Sequence, residues 1–220
     1  MNAPPTRIFL VDDHPLVREW LVALLRQEPD FEVGGQAEDA GSALAAIIAR
    51  PPDVAIVDLS LKSSSGLGLI KDISRQLPGT QVVVFSMHEE AYYAERALRA
   101  GARGYVTKSE STDRILEAIR AVRKGELYGS APLLAQLAQR MVGGASLVPS
   151  DFVEVLSDRE LDVFRCLGNG QTTRQIAEEQ HVSIKTIQAY CARIKVKLRI
   201  TSGAELVREA VRWIEQGRPR

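Results

Sequence analysis

The sequence predicts a doubly wound α/β domain followed by a small all-helical one, and three observations carry that prediction. Short apolar runs alternate with helical patterns through residue 124, the texture turns to Gly and Pro from Gly125, and beyond Asp151 no strand pattern recurs. Alternation at this spacing implies a parallel sheet with helices on both faces, because each crossover must be helix-length and right-handed.

The strand patterns are Arg7 to Val11, Phe31 to Gln36, Val54 to Val57, Val82 to Phe85 and Gly104 to Thr107. They are short, apolar and bounded by turn residues. Between and after them, Pro15 to Gln27, Asp39 to Arg50, Gly66 to Leu77, Glu89 to Ala100 and Ser111 to Lys124 show helical spacing, as in Leu16, Trp20, Ala23, Leu24 and Gln27. Residues 125–152 read as a linker with one short helix, Leu133 to Val142. Gly143-Gly144 gives it backbone freedom, and Pro132 and Pro149 limit helix continuation. Residues 153–220 then carry helical patterns at Asp158 to Leu167, Thr173 to Gln180, Ile184 to Leu198 and Ala204 to Glu215. The expected organisation is one domain over 1–124 and a four-helix domain over 153–220.

Composition narrows the class. Of 220 residues 45% are hydrophobic and 25% charged, an ordinary globular mix that argues against disorder and fibrous repeats. No apolar run approaches the roughly 18 residues of a membrane span. The opening Met-Asn-Ala-Pro-Pro-Thr-Arg lacks the apolar centre of a signal peptide, so a cytoplasmic protein is expected. Cys166 and Cys191 lie in apolar-periodic helices without metal-ligand spacing and read as reduced packing residues. The charges, 28 basic and 28 acidic, cancel, and as a sum over the chain that argues against nucleic acid. Locally they do not cancel: Lys185, Arg193, Lys195, Lys197 and Arg199 fall between positions 180 and 204 without one acidic residue.

The residues that carry chemistry sit where strands stop. Asp12 and Asp13 follow the first strand, Asp58 the third, Ser86 the fourth and Lys108 the fifth. In a parallel sheet all carboxyl ends share one edge, where ligand crevices form. Three clustered carboxylates repel one another unless a cation joins them, and a hard oxygen site suits Mg2+. A carboxylate beside Mg2+ can act as nucleophile toward a phosphoryl group, with a hydroxyl and an ammonium holding the remaining oxygens. Helix capping by each Asp is the bland alternative for any one residue; the set of five is what points to an aspartyl-phosphate site.

Val11-Asp12-Asp13-His14, Asp58 after Val54 to Val57, Gly66 eight residues on, Ser86 after the strand, and Gly101-Ala102-Arg103-Gly104-Tyr105-Val106-Thr107-Lys108 together resemble the receiver domain of two-component response regulators. The resemblance implies a flavodoxin-like fold and Asp58 as acceptor of a phosphoryl group from a sensor histidine kinase. It implies Mg2+ held by Asp13, Asp58 and the Ser60 carbonyl with Asp12 assisting, Ser86 and Lys108 on the phosphoryl oxygens, and Tyr105 as an aromatic switch. Ser60 and His88 match positions that tune phosphoryl lifetime. Lys62 and Ser109 depart from the family, which often has Pro at both.

In the C-terminal half, Ser183 reads as the N-cap of a helix whose Ile184, Ile187, Cys191, Ile194 and Leu198 form one apolar stripe. The opposite face carries Lys185, Ala189, Ala192, Arg193 and Val196, with Gln188 and Arg199 on its flank. An α-helix fits the DNA major groove, where Lys or Arg reads guanine, Gln reads adenine, and Ala admits close approach. With Thr173 to Gln180 before it, this is a helix-turn-helix pattern. Leu156-Ser157-Asp158-Arg159-Glu160, Gly168-Asn169-Gly170, Ile176-Ala177-Glu178 and Val182 to Tyr190 resemble the LuxR-type helix-turn-helix. The whole chain is thereby similar to NarL/FixJ-family response regulators. The resemblance implies Lys185, Thr186, Gln188, Ala189, Arg193 and Lys197 as DNA-binding residues. It implies a last helix that dimerises, although Ala204, Val207, Val211 and Ile214 serve equally as core.

The expected function is a phosphorylation-controlled, DNA-binding transcription regulator and not an enzyme, with Mg2+ as cofactor. Its expected partners are promoter duplex DNA, a sensor histidine kinase and a second copy of the chain once phosphorylated. A constitutive DNA binder whose receiver only dimerises, and a Mg2+-dependent phosphohydrolase, are the rivals. The first would need a broken acidic site and the second a substrate-binding cap.

Overall fold

The computed structural model describes residues 4–61, 65–87, 90–135, 138, 155–180 and 182–217. The chain divides into two compact units, Met1–Val142 and Gly143–Arg220. In the first, β1 (Thr6–Val11), α1 (Pro15–Leu25), β2 (Phe31–Ala37), α2 (Ala40–Ala49), β3 (Val54–Val57), α3 (Gly66–Gln76), β4 (Gln81–Ser86), α4 (Glu90–Ala100), β5 (Gly104–Thr107) and α5 (Thr112–Arg123) alternate strictly. The strands are all parallel in the order β2-β1-β3-β4-β5. The chain steps outward from β1 to β2, then returns past β1 to β3 and continues to β5. The order therefore switches direction between β1 and β3, and a crevice opens at their carboxyl ends.

Alternate strand residues face opposite layers. Ile8, Leu10, Val54, Ile56, Val83, Phe85 and Val106 pack with Leu21 and Leu25 of α1 and Ile115, Ile119 and Val122 of α5. Residues of the other register, among them Val57, Val84 and Tyr105, are buried too, as are Ile47 of α2, Ile70 and Ile73 of α3 and Ala97 of α4. Central strands buried on both sides explain why β3 reads as unbroken Val-Ala-Ile-Val.

In the first unit the stripe of α1 differs from its sequence pattern. On α1 the buried residues are Leu21 and Leu25, with Val17 and Leu24 partly covered, whereas Leu16 is 79% exposed and Trp20 42%. α1 is apolar around much of its circumference, so periodicity alone leaves its rotation open. Arg18, whose guanidinium donates to the Asp12 carbonyl at 2.5 Å, marks the side turned toward the strand ends.

Gly66 sets how closely α3 approaches β3. A Cβ there would lie 2.2 Å from the Asp58 carbonyl oxygen and 2.6 Å from the Leu59 Cα. Both neighbours are backbone, so only glycine permits the approach. After α5 the chain turns back and Tyr128 runs beside β5: Tyr105 N–H donates to the Tyr128 carbonyl and Tyr128 N–H to the Arg103 carbonyl, both at 2.9 Å. The Tyr128 phenol donates to Glu117 Oε2 at 2.8 Å, and the Arg114 guanidinium lies 4.8 Å from its ring centroid. Burial, then the bond to Glu117, pushes the phenol pKa up. This segment covers what would otherwise be an open sheet edge. Residues 131–135 are helical; the rest of the short helix expected up to Val142 lies almost entirely outside the described residues.

The second unit comprises α6 (Asp158–Gly168), α7 (Thr173–Glu179), α8 (Ile184–Leu198) and α9 (Gly203–Gly217). Capping boxes begin α6, from Ser157 with Glu160, and α7, from Thr172 with Gln175. Ser183 caps α8 by accepting from Thr186 N–H at 3.1 Å. Ile187, Ile194 and Leu198 of α8 are buried, but Ile184 is exposed and Cys191 only half-buried, so the apolar stripe is narrower than its spacing suggests. Ile184 is the first residue of the helix and sits where α8 starts at the surface. α9 packs on α6, with Trp213 against Phe164 at 5.8 Å between ring centroids. A Cβ on Gly168 would lie 2.5 Å from the Ala210 carbonyl oxygen, so this contact also needs glycine. Ile214 points into that core while Ala204 and Val207 are exposed, dividing the set that spacing left undecided.

Glu160 braces α6 to α8. It is 3% exposed, accepts from the Ser157 N–H at 2.8 Å, and pairs with Lys197 Nζ at 2.6 Å and, more loosely, Arg193 Nε at 3.6 Å. Burial raises its pKa, but Lys197 and the Ser157 bonds outweigh burial and hold it below the ordinary value.

Two outcomes follow from this packing. Gly66→Ala is expected to cost about 1–3 kcal/mol through overpacking; an unchanged melting temperature refutes the close approach. Glu160→Gln is expected to lower the stability of the second unit by about 1–3 kcal/mol at neutral pH. A depressed carboxylate pKa stabilises above its unfolded value, and that contribution is lost as pH falls through the folded value. The gap between variant and wild type should therefore close under acid conditions. Urea titrations followed by Trp213 fluorescence in a Trp20→Phe background measure it, and equal midpoints at neutral pH overturn the brace.

Candidate functional site

Parallel pairing brings the strand ends into line. Val11 is opposite Val57, Val57 opposite Val84, and Ser86 opposite Thr107. The next residues are held there by backbone bonds: Asp58 N–H to the Val11 carbonyl and Lys108 N–H to the Ser86 carbonyl, each 2.8 Å. Asp12, Asp13, Asp58 and Ser86 are all buried, at 2%, 6%, 2% and 0% exposure. The five residues singled out by sequence thus meet at one edge.

Lys108 joins the carboxylates. Its Nζ lies 2.5 Å from Asp12 Oδ2 and donates to Asp58 Oδ2 at 2.6 Å, and its side chain is 6% exposed. Burial works against the charge on Lys108, but Asp58 and Asp12 outweigh it and raise the pKa above the ordinary value. The ammonium also lies 5.9 Å from the Phe85 ring centroid, and Trp20 stacks on Phe85 with 6.0 Å between ring centroids. Asp58 Oδ1 accepts from Ser60 N–H at 3.2 Å, which bends the chain after β3 and keeps Ser60 beside the carboxylate.

The carboxylates also fit a cation. Ligand atoms of Asp12, Asp13, His14 and Asp58 all lie within 4.8 Å of one another. Asp13 Oδ1 is buried without a hydrogen-bond partner, which is costly unless a positive group satisfies it. The acidic pocket could bind Mg2+ through these oxygens.

Tyr105 is buried in β5, 1% exposed. No peptide bond among the described residues is cis, so the step from Lys108 to Ser109 is trans. Lys62 and His88 lie outside the described residues. Sequence reasoning missed His14, whose imidazole lies against the Asp12 and Asp13 carboxylates, and Arg18, which donates to the Asp12 carbonyl; their signal was adjacency to Asp12-Asp13 at the start of α1.

The second candidate surface is α8. Lys185, Gln188, Ala189, Ala192, Arg193, Val196 and Lys197 are exposed and Thr186 is half-buried. Arg193 lies over the Tyr190 ring, 4.6 Å from its centroid, and Arg193 and Lys197 are the partners of Glu160. The sequence pattern presented these two cations as solvent-facing; they also hold the helix in place. The capping-box spacing from Ser157 to Glu160 was the available sign that a carboxylate would point at this helix.

Comparison with known proteins matches each unit to a family. Residues 8–120 match the response regulator receiver domain family, and residues 154–210 match bacterial regulatory proteins of the luxR family. Oxygen regulatory protein NreC of Staphylococcus haemolyticus (strain JCSC1435) is 34% identical over 210 residues, covering 94% of this chain and 97% of NreC. A LuxR-family two-component response regulator from Aurantimonas sp. SI85-9A1 superimposes with TM-score 0.57 at 34% identity, over 63% of this chain and 99% of that one. RcsB from Salmonella enterica serovar Typhimurium, in a structure bound to promoter rprA with the phosphomimetic BeF3-, gives TM-score 0.57 at 26% identity over 94% and 98% of the two chains. A receiver fold with its acidic edge, followed by a LuxR-type helical unit and matched along nearly its whole length by such a regulator, belongs to the NarL/FixJ-type two-component response regulators.

Proposed function

We propose that this response regulator couples phosphorylation of Asp58 to promoter binding by α8, and the observation that carries the reading is the buried Lys108 ammonium shared by Asp12 and Asp58. Residues 1–124 form the receiver, 125–152 the linker and 153–220 the DNA-binding domain. A sensor histidine kinase supplies the phosphoryl group: an Asp58 carboxylate oxygen bonds to phosphorus as the phosphorus–nitrogen bond of the donor phosphohistidine breaks, and the freed imidazole leaves. Asp12, Asp13, Asp58 and the Ser60 carbonyl are the residues that would hold Mg2+, which supplies charge neutralisation to the phosphoryl oxygens. Reaction turnover on small molecules has no part in this reading, and the protein acts in the cytoplasm.

What this chain's own residues do is redistribute contacts. Before transfer, Lys108 is committed to two carboxylates. Afterwards the acceptor carries additional oxygens with more charge, and Lys108 and the Ser86 hydroxyl hold them. Ser86 ends β4 and Thr107, one residue before Lys108, ends β5, so their movement bears on Tyr105 in that strand. A mostly inactive population becomes mostly active only with several kcal/mol of differential stabilisation. Receiver dimerisation, and pairing of two copies through the exposed Ala204 and Val207 face of α9 on a two-half-site promoter, contributes through effective concentration. On DNA, Lys185, Thr186, Gln188 and Ala189 face the groove, and Arg193 and Lys197 reach phosphates from the Glu160 side. RcsB bound to a promoter with a phosphomimetic present supports joining the two events.

Phos-tag electrophoresis after incubation with acetyl phosphate should retard the wild type and leave Asp58→Asn unshifted; retardation of the Asn variant refutes the acceptor. With genomic fragments selected by the phosphorylated protein as probes, Arg193→Ala should weaken binding to all of them and reduce the slope of log affinity against log salt by about 1. Gln188→Ala should instead relax preference at one base pair by about 1–3 kcal/mol. Unchanged affinity in both variants removes α8 as the reading helix.

A further inference from the structure

We infer that His14 is a nitrogen ligand of the acidic site, so that the site takes borderline transition cations such as Zn2+ in competition with Mg2+. The inference rests on the acidic-edge reading above and adds to it a residue and a class of cation.

The local backbone places the imidazole. His14 N–H donates to Asp12 Oδ1 at 2.8 Å, and Pro15 follows as the first residue of α1. The turn is therefore held from both sides, and its one side chain of nitrogen-ligand type stands over the carboxylates. Nδ1 lies 3.1 Å from Asp12 Oδ1 and 2.8 Å from Asp13 Oδ1. The second distance is short, yet Asp13 Oδ1 has no hydrogen-bond partner, so the ring is close without being aligned as its donor.

The oxygens are divided between two cation positions. Lys108 takes Oδ2 of Asp12 and of Asp58, while the imidazole faces Oδ1 of Asp12 and of Asp13. All four side chains offer ligand atoms within 4.8 Å of one another. Two ligand atoms on opposite sides of an ion bound at about 2.0–2.2 Å are about 4.0–4.4 Å apart, so a contraction of a few tenths of an ångström closes the set. His14 is 56% exposed, leaving its ring able to turn and to carry its proton on Nε2 toward water when Nδ1 binds.

The chemistry of the set then selects the cation. Mg2+ prefers oxygen ligands and dehydrates reluctantly, gaining little from an imidazole. Divalent ions further along the Irving–Williams order gain from each nitrogen, and imidazole suits Zn2+, Cu2+, Fe2+ and Ni2+. Mn2+ accepts both carboxylate and imidazole and is paramagnetic, so it reports on the ligand directly.

Pulsed electron paramagnetic resonance on the full chain with Mn2+ should show 14N coupling from a coordinated imidazole, and His14→Ala should lose that coupling while retaining Mn2+ displaceable by Mg2+. Zn2+ should displace Mn2+ from the wild type at about tenfold lower concentration than from His14→Ala, with Mg2+ displacement changed less than about twofold. Mn2+ bound to the wild type without nitrogen coupling, or coupling that survives in His14→Ala, overturns the assignment while leaving the acidic site intact. Asp13→Asn separates the two: if Mn2+ binds the wild type and Asp13→Asn equally, the acidic-edge reading itself falls and the role of His14 falls with it.

Discussion

The receiver depends on a buried ammonium between two buried carboxylates. Asp12, Asp13 and Asp58 are drawn together because two adjacent parallel strands, β1 and β3, end in register, and such a cluster is unfavourable without compensating charge. Lys108, delivered from the end of β5, supplies one positive charge and leaves Asp13 Oδ1 without a hydrogen bond. The site is thus stable enough to fold and short of positive charge, which is the condition for taking up a cation and then a phosphoryl group. The same shortage gives His14, poised over the Oδ1 atoms, its place in the scheme.

Around this charge the backbone geometry is demanding. Gly66 lets α3 start within contact of the Asp58 carbonyl, and Ser60 N–H holds the Asp58 carboxylate from the following turn. Phe85, against which Trp20 stacks, gives Lys108 an aromatic neighbour. Any shift of Asp58 is felt by backbone that cannot yield easily, and such rigid, close-packed surroundings convert a small change in charge into a change of conformation rather than a local adjustment.

The helical unit shows the same economy at a second carboxylate. Glu160 completes the capping box of α6 and then accepts Lys197 and Arg193 from α8. The cations that lend α8 its basic character also set its orientation, so the face that carries Lys185, Gln188 and Ala189 is presented by a charge pair formed behind it.

Several features were legible from residue order alone. The alternation of strands and helices, the acidic and basic residues at strand ends, and the Ser183 cap are local patterns, because strand period, helix period and capping are local physics. Rotation of α1, the inward turn of Ile214 beside the outward Ala204 and Val207, and the exposure of Ile184 were not legible. Each depends on which neighbour covers a face, and an element apolar on several sides fits more than one neighbour. The partners of charges were hidden for the same reason: Lys108 to Asp58 spans 50 residues and Lys197 to Glu160 spans 37. Residue order specified which groups would be present at the strand ends and on α8. Only three-dimensional packing assigned each charge its partner, because ion pairing over such separations follows from topology and not from spacing along the chain.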